Sequence, residues 1–314
     1  MLADAGYKLD VLDNYSFSNE DQLFKHPNVT WHKGDTRDYK LVVSLLKDKD
    51  AVVHLAAPSS FIMHEENDLD ACSFTMMGFK TVMEAMRHHG PKKIVWASTS
   101  AVYERNPLPY HEKMTLIPPD SKAGCKHWCE LEARRYAERY GFTSIAFRPF
   151  SVYGVGEHTK GGYANVTSLL AWAMMAGERP VIWGEGHQTR DFIYVEDAAR
   201  GFMTALGKVL VDSKPYAEEV NLGFGKEHSF LDVMNIAAKE LGIKPNPVYV
   251  KVPIQIYAER LLSDNTKLNQ FLGFQPKITL EEGIRRIATA TRALSPEWQA
   301  KLKTAQLYYK KLEK

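Results

Sequence analysis

The feature that most constrains this chain is an alternation running through its first two thirds. Short apolar runs bounded by turn residues are separated by amphipathic stretches of helical length. That pattern specifies a parallel sheet covered by helices. Strands are expected over residues 7–12, 29–32, 51–55, 93–98 and 143–148, and helices near 39–47, 68–89 and 121–140. After Gly154 the pattern changes to longer loops and short strands, with helices expected near 164–176, 195–206, 229–241 and 280–293. The tail, LKTAQLYYKKLEK, reads as a terminal amphipathic helix. No internal repeat or low-complexity linker divides the 314 residues. The fold class is therefore α/β, in one large domain or two interlocked smaller ones.

Composition bounds the partners. A formal charge of +2 gives no support for nucleic acid or an anionic membrane as a partner. No apolar run approaches the roughly 18 residues needed to cross a bilayer. The opening residues, MLADAGYK, have neither the basic region nor the apolar core of a signal peptide. Cys72, Cys125 and Cys129 make no disulfide framework, so a cytoplasmic location is expected. Cys125 and Cys129 flank His127 and could form half a metal site on one helix face. No second half shows ligand spacing, so no metal is expected.

The beginning is unusual. Residues 1–5 read as the last turn of a helix that Gly6 closes, and the strand that follows ends at Asp13. In a dinucleotide-binding fold an acidic residue there holds the adenosine ribose, roughly 20 residues after a glycine-rich turn. That turn and the strand before it are absent here. Taken alone, an Asp at a strand end such as Asp13 is usually an ordinary turn residue.

Seven motifs then arrive in one order: GDTRD (34–38), VVHLAAPSS (52–60), ASTSAVYE (97–104), RPFSVYG (148–154), GEGHQTRDFIYVEDAAR (184–200), NLGFGKEHS (221–229) and LGFQPKITLEEGI (272–284). Together they resemble the extended short-chain dehydrogenase/reductase family, in its NAD-dependent nucleotide-sugar epimerase and dehydratase branch, over nearly the whole chain. QTRDFIYVEDAAR is the specific signal, while HLAA and GDTRD are weaker singly. The resemblance implies a Rossmann-like, doubly wound parallel sheet without its first strand, as an amino-terminally truncated NAD-binding domain over residues 1–150. It also implies a smaller, mainly substrate-binding carboxyl-terminal domain over 151–314, with segments near 190–225 returning to the first. It implies that Asp13 and Asn14 hold the adenosine ribose and that Asp35 and Thr36 meet the adenine. Leu55, Ala56 and Ala57 would line the cofactor at a strand end, the two alanines allowing close approach. Lys126 would bond the nicotinamide ribose. Thr99 would bond the reacting sugar hydroxyl, Ser151 stands where many relatives have a substrate-touching Asn, and Arg190 would pair with a substrate diphosphate through its bidentate fork. Asp191 is expected to orient that loop, and Arg148 to be structural. Substrate choice is expected to rest on pocket shape around Tyr163, Asn165 and Trp183. Two copies would form a homodimer through the helices over 68–89 and 121–140, with Met76, Met77, Val82, Met83 and Met86 as either the apolar face or ordinary core.

The implied reaction is epimerisation of a nucleotide-diphosphate sugar at C4 through a transient 4-keto sugar. A dehydratase would carry an Asp-Glu pair after the catalytic Thr, but Thr99 is followed by Ser100 and Ala101. A related reductase or dehydratase, or a catalytically silent binder of NAD or a nucleotide sugar, remains as an alternative. The departures feed that alternative. The family's catalytic base is a tyrosine four residues before the lysine, and here that position is Lys122. A lysine desolvated beside other positive charge loses affinity for its proton and can act as a base. Otherwise Lys122 points to solvent, or Tyr103 or Tyr153 serves instead, or the segment has drifted in a protein kept for binding. Thr75 opens the stretch TMMG where the family has an Asn that supports the catalytic helix. Without the first strand, two strands of the sheet should each lack a neighbour. The simplest account is that Met1 is an internal residue.

Overall fold

The structure, a computed structural model, describes residues 1–16, 23–252 and 258–305. In chain order the first part runs β1 (Leu9–Asp13), β2 (Val29–Lys33), α1 (Tyr39–Leu46), β3 (Val52–His54), α2 (Phe61–Glu66), α3 (Asp68–Cys72), α4 (Gly78–His89), β4 (Lys93–Ala97), α5 (Ser121–Tyr140) and β5 (Thr143–Pro149). There follow β6 (Val152–Tyr153), α6 (Val166–Met175), β7 (Val181–Trp183), β8 (Thr189–Asp191), β9 (Ile193–Tyr194), α7 (Val195–Val211) and β10 (Tyr216–Leu222). The chain continues through β11 (Glu227–Ser229), α8 (Phe230–Leu241), β12 (Val248–Val250), α9 (Thr266–Leu272), α10 (Leu280–Arg292) and α11 (Pro296–Ala305).

The central sheet has the order β10–β5–β4–β3, all parallel. β5 is buried along nearly its whole length, which is why its sequence carries no polar alternation: helices cover both faces. β10 comes from the later half of the chain and pairs with β5 from Tyr216 opposite Thr143 to Leu222 opposite Pro149. β1 and β2 form a separate parallel pair. Among the described residues β1 pairs only with β2, and β3 only with β4, the arrangement expected of a sheet without its first strand. Side chains join the two pieces: Leu12 of β1 packs into a cluster with Val42 and Leu46 of α1, Phe79 and Met83 of α4, and Trp96 of β4. Val82, Met83 and Met86 are core residues of that cluster, whereas Met77 is exposed.

Two expected elements differ in detail. The helix expected over 68–89 is broken: α3 ends at Cys72, Ser73–Met77 form a wider π turn, and α4 begins at Gly78. Gly78 lies where a side chain would strike the Thr36 hydroxyl. Thr75, within the wider turn, has a buried hydroxyl with no hydrogen-bond partner among the described residues. The amphipathic tail extends past α11 to residues 306–314, which lie outside the described residues. By contrast α5 has the expected bounds, because both ends carry stop signals. The Asp120 carboxylate accepts from the Ala123 N–H at 2.8 Å, and Gly141 closes the helix in the left-handed region at φ 72°.

A second core lies in the carboxyl-terminal part, where Leu169, Leu170 and Trp172 of α6 meet Val233 of α8 and Ile284 and Ile287 of α10. Gly283 of α10 leaves room for the Tyr153 hydroxyl, which a Cβ there would strike. No helix among the described residues is long and apolar enough to cross a membrane.

One buried ion pair ties β5 to α5. The Arg148 guanidinium donates to both carboxylate oxygens of Glu130 at 2.8 and 2.6 Å, and neither side chain is exposed. Removing one partner strands a buried charge. Arg148→Met is therefore expected to lose about 3–5 kcal/mol of unfolding free energy in urea, part of which Glu130→Gln added to it restores. A loss below about 1 kcal/mol would show that the pair carries little of the fold.

Candidate active site

Strand ends place the candidate residues around two cavities. The first, of 480 Å³, is lined by Asp13 and Asn14 after β1, Asp35 and Thr36 after β2, and Leu55, Ala56 and Ala57 after β3. All seven residues expected at a cofactor, Lys126 apart, thus face one space. Asp13 accepts from the Tyr15 N–H at 2.7 Å. The Asp35 carboxylate is held by the Arg37 guanidinium at 2.7 and 3.0 Å, which keeps its pKa below the usual carboxylate value. Phe74, beneath the Arg37 guanidinium, is a further wall that the sequence did not suggest.

The second cavity, of 330 Å³, is lined by Lys122, Ser151 and Arg190 together with Glu104, Asp120 and Trp183. α2 separates the two spaces: Ile62 faces the second, and Met63 and Glu66 face the first. Tyr163 lines the first cavity rather than the second, and its hydroxyl donates to Glu66 at 2.5 Å. Asn165 lines the second, where its side chain also caps α6.

Lys122 stands one turn ahead of Lys126 on α5. Burial lowers its pKa, Lys160 lowers it further, and Asp120 and Glu104 oppose the fall. Its amine therefore gives up its proton more readily than a lysine in water, the requirement for a base. Lys126 is buried and donates from Nζ to the Ala97 carbonyl at the end of β4, 2.7 Å away. Burial brings its pKa to about 8, with the Lys122 charge adding to the fall. Thr99 is buried with its hydroxyl accepting from the Ala101 N–H at 3.2 Å, and it is not among the residues lining the second cavity.

The two alternative tyrosines are structural. Tyr103 is fully buried; its hydroxyl donates to Asn221 at 2.8 Å and accepts from Arg148 at 2.7 Å. Tyr153 is buried, and its hydroxyl donates to the Thr279 carbonyl at 3.4 Å. Burial raises the pKa of both, which opposes the tyrosinate a base would need. Arg148, bonded to Glu130 and Tyr103, is structural as expected. Glu130 also accepts from Ser98 at 2.6 Å. Burial alone would raise its pKa, but the Arg148 hydrogen bonds outweigh that and hold it at about 2. Asp191 accepts from the N–H groups of Phe224, Gly225 and Ser263, so it fixes the loop that carries Arg190. Arg190 itself donates to the Thr189 carbonyl at 2.7 Å and lies over the Phe230 ring.

Glu104 and Asp120 line this cavity and were not among the residues expected there. Burial and the Asp120 charge raise the pKa of Glu104. The signal was present: an acidic residue directly after the buried Val102-Tyr103 pair is placed by its neighbours at the cavity wall.

Residues 1–223 match the family model described as the NAD dependent epimerase/dehydratase family. The chain belongs to that family. A UDP-glucuronate 4-epimerase of Thermodesulfobacterium geofontis is 30% identical over 88% of this chain and 83% of its own length. The solved UDP-N-acetylglucosamine 4-epimerase of Methanobrevibacter ruminantium is 29% identical, covers 91% of both chains and superposes with a TM-score of 0.84. A Thermus thermophilus UDP-glucose 4-epimerase solved with NAD is 25% identical, covers 94% of both chains and has a TM-score of 0.79. The first cavity fits the family's cofactor in its donor set. It offers carboxylate and amide acceptors at two strand ends for ribose and adenine, and small side chains at the third.

The low pKa of Lys126 is directly measurable. In protein carrying ¹³C at lysine Cε, the resonance that disappears in Lys126→Arg should titrate near pH 8. A midpoint at the ordinary lysine value of about 10.4 would contradict the burial of this amine.

Proposed function

We propose that the protein interconverts the C4 epimers of a nucleoside-diphosphate hexose, with Lys122 as the acid–base group. The observation that carries this reading is the position of Lys122, an amine of lowered pKa on the wall of a cavity that also holds Arg190. When bound in the adjoining cavity, NAD supplies a hydride acceptor that takes hydrogen from the sugar carbon and returns it to the other face of a 4-keto sugar. Asp13 and Asn14 hold the adenosine ribose, Asp35 and Thr36 the adenine edge, and Lys126 the nicotinamide ribose. The backbone at Leu55, Ala56 and Ala57 supports the cofactor's middle.

Neutral Lys122 accepts the proton of the sugar hydroxyl and gives it back once the configuration has changed. Asp120 and Glu104 stabilise the ammonium formed between those events, while Lys160 and burial keep it from persisting. Arg190 meets the diphosphate, Ser151 the sugar, and Thr99 shares the sugar hydroxyl after a rotamer change that releases the Ala101 N–H. Amino-acid substitution at the usual base position also supports a second reading, a silent binder of the same ligands.

One variant separates the two. Lys122→Ala should lower turnover by at least about a hundredfold with cofactor affinity unchanged. In the wild type kcat/KM should fall as pH drops through the lowered Lys122 pKa, because protonation removes the base. Turnover unchanged in Lys122→Ala sinks the assignment, and no turnover in the wild type on any nucleotide sugar supports the silent binder. The assembly we propose is a homodimer packed through exposed Met77 and Leu131, of the π turn and α5. Sedimentation should then show a dimer that Leu131→Asp dissociates; a wild-type monomer at micromolar concentration contradicts it.

A further inference from the structure

His64, Asp68 and Cys72 recur every four residues, so a continuous helix would place them on one face. The chain breaks between α2 and α3 at Asn67, which caps α3, and the three side chains still converge. His64 Nδ1 lies 3.3 Å from an Asp68 carboxylate oxygen, and Cys72 Sγ lies 3.5 Å from the same oxygen. Ligand atoms of all three lie within 4.8 Å of one another. A tetrahedral zinc ion with bonds of about 2.0–2.3 Å sets its ligands about 3.3–3.8 Å apart. The two measured separations fall in that range without any rearrangement.

A second helix brings further donors. The Cys125 thiol of α5 neighbours the Cys72 thiol, and Ser121 neighbours Asp68, where α5 packs against α2 and α3. His64 is only 3% exposed, and its Nε2 has no hydrogen-bond partner among the described residues. Asp68 is thus the one described hydrogen-bond partner that the ring has. The buried imidazole turns Nδ1, the nitrogen that would ligate, toward the Asp68 carboxylate and the neighbouring Cys72 thiol.

We propose that this cluster binds a divalent cation of the zinc class through His64 Nδ1, an Asp68 carboxylate oxygen and Cys72 Sγ, with the Cys125 thiol on the fourth side. Mixed nitrogen, oxygen and sulfur donors select zinc and its neighbours over magnesium or calcium, which take oxygen. Binding replaces the thiol proton with the cation and releases it to solvent. The occupied site ties α2, the wall between the two cavities, to α5, which carries both lysines. This inference does not depend on the reaction proposed above. In sequence, Cys125 and Cys129 around His127 have no second half with ligand spacing, whereas in the structure Cys125 faces Cys72 of another helix.

Cobalt is the probe, added to the reduced full chain. The expected result is a saturable thiolate-to-cobalt charge-transfer band with the visible bands of a tetrahedral ion, removed by an equivalent of zinc. Cys72→Ser should lose at least half of the charge-transfer intensity. Asp68→Asn, at a side chain 53% exposed and so safe for folding, should weaken zinc binding by roughly tenfold or more in competition with a chromophoric chelator. Saturation without a thiolate band overturns the proposal. So does zinc affinity in both variants equal to that of the wild type.

Discussion

The Arg148–Glu130 pair fixes α5, which carries Lys122 and Lys126, against the ends of β4 and β5. Arg148 ends β5, Glu130 lies in the middle of α5, and Ser98, just after β4, donates to the same carboxylate. Two strand ends and α5 are thereby locked at one buried point. Arg148 also holds the Tyr103 hydroxyl, which in turn donates to Asn221 of β10. Two charges out of water are costly, and the cost is offset only when every lone pair is used. Here both Glu130 oxygens are bonded, so the pair can fix geometry without leaving an unsatisfied group.

Under the proposed function, Lys122 takes the place that the family resemblance gives to a tyrosine. A tyrosinate beside Lys126 is stabilised by the neighbouring positive charge. An ammonium at Lys122 is destabilised first by burial and then by the charge of Lys160. The two side chains reach the same end by opposite routes, since a base must be unprotonated at working pH in either case. Asp120 and Glu104 limit how far the shift can go, so Lys122 can still hold a proton between steps. The wall formed by α2 keeps the two cavities distinct but adjoining, with Lys160 on the side of the first near enough to act on Lys122.

Much of this was legible in the sequence, for physical reasons. β4 and β5 are apolar because both their faces are covered, and α5 announces itself through Asp120 and Gly141 at its ends. Asp13, Asp35 and Ala57 share a cavity because a parallel sheet brings its carboxyl strand ends together. Other features were hidden. Nothing local in 68–89 signals the π turn, whose extra residue is accommodated by packing against α5. β10 is short of pattern because its register is set by β5 rather than by its own turns. Tyr103 could not be told from a base until its hydroxyl was seen bonded to Arg148 and Asn221. His64 and Cys125 are 61 positions apart, and only the docking of α3 on α5 relates them.

The most direct measurement is proton NMR of a nucleoside-diphosphate hexose incubated with the protein and NAD in deuterium oxide. The account predicts conversion to the C4 epimer with protium retained at C4, because the hydrogen that leaves that carbon returns to it and only hydroxyl protons exchange through Lys122. Deuterium at C4, or no epimer from any of the common nucleotide hexoses, would contradict it.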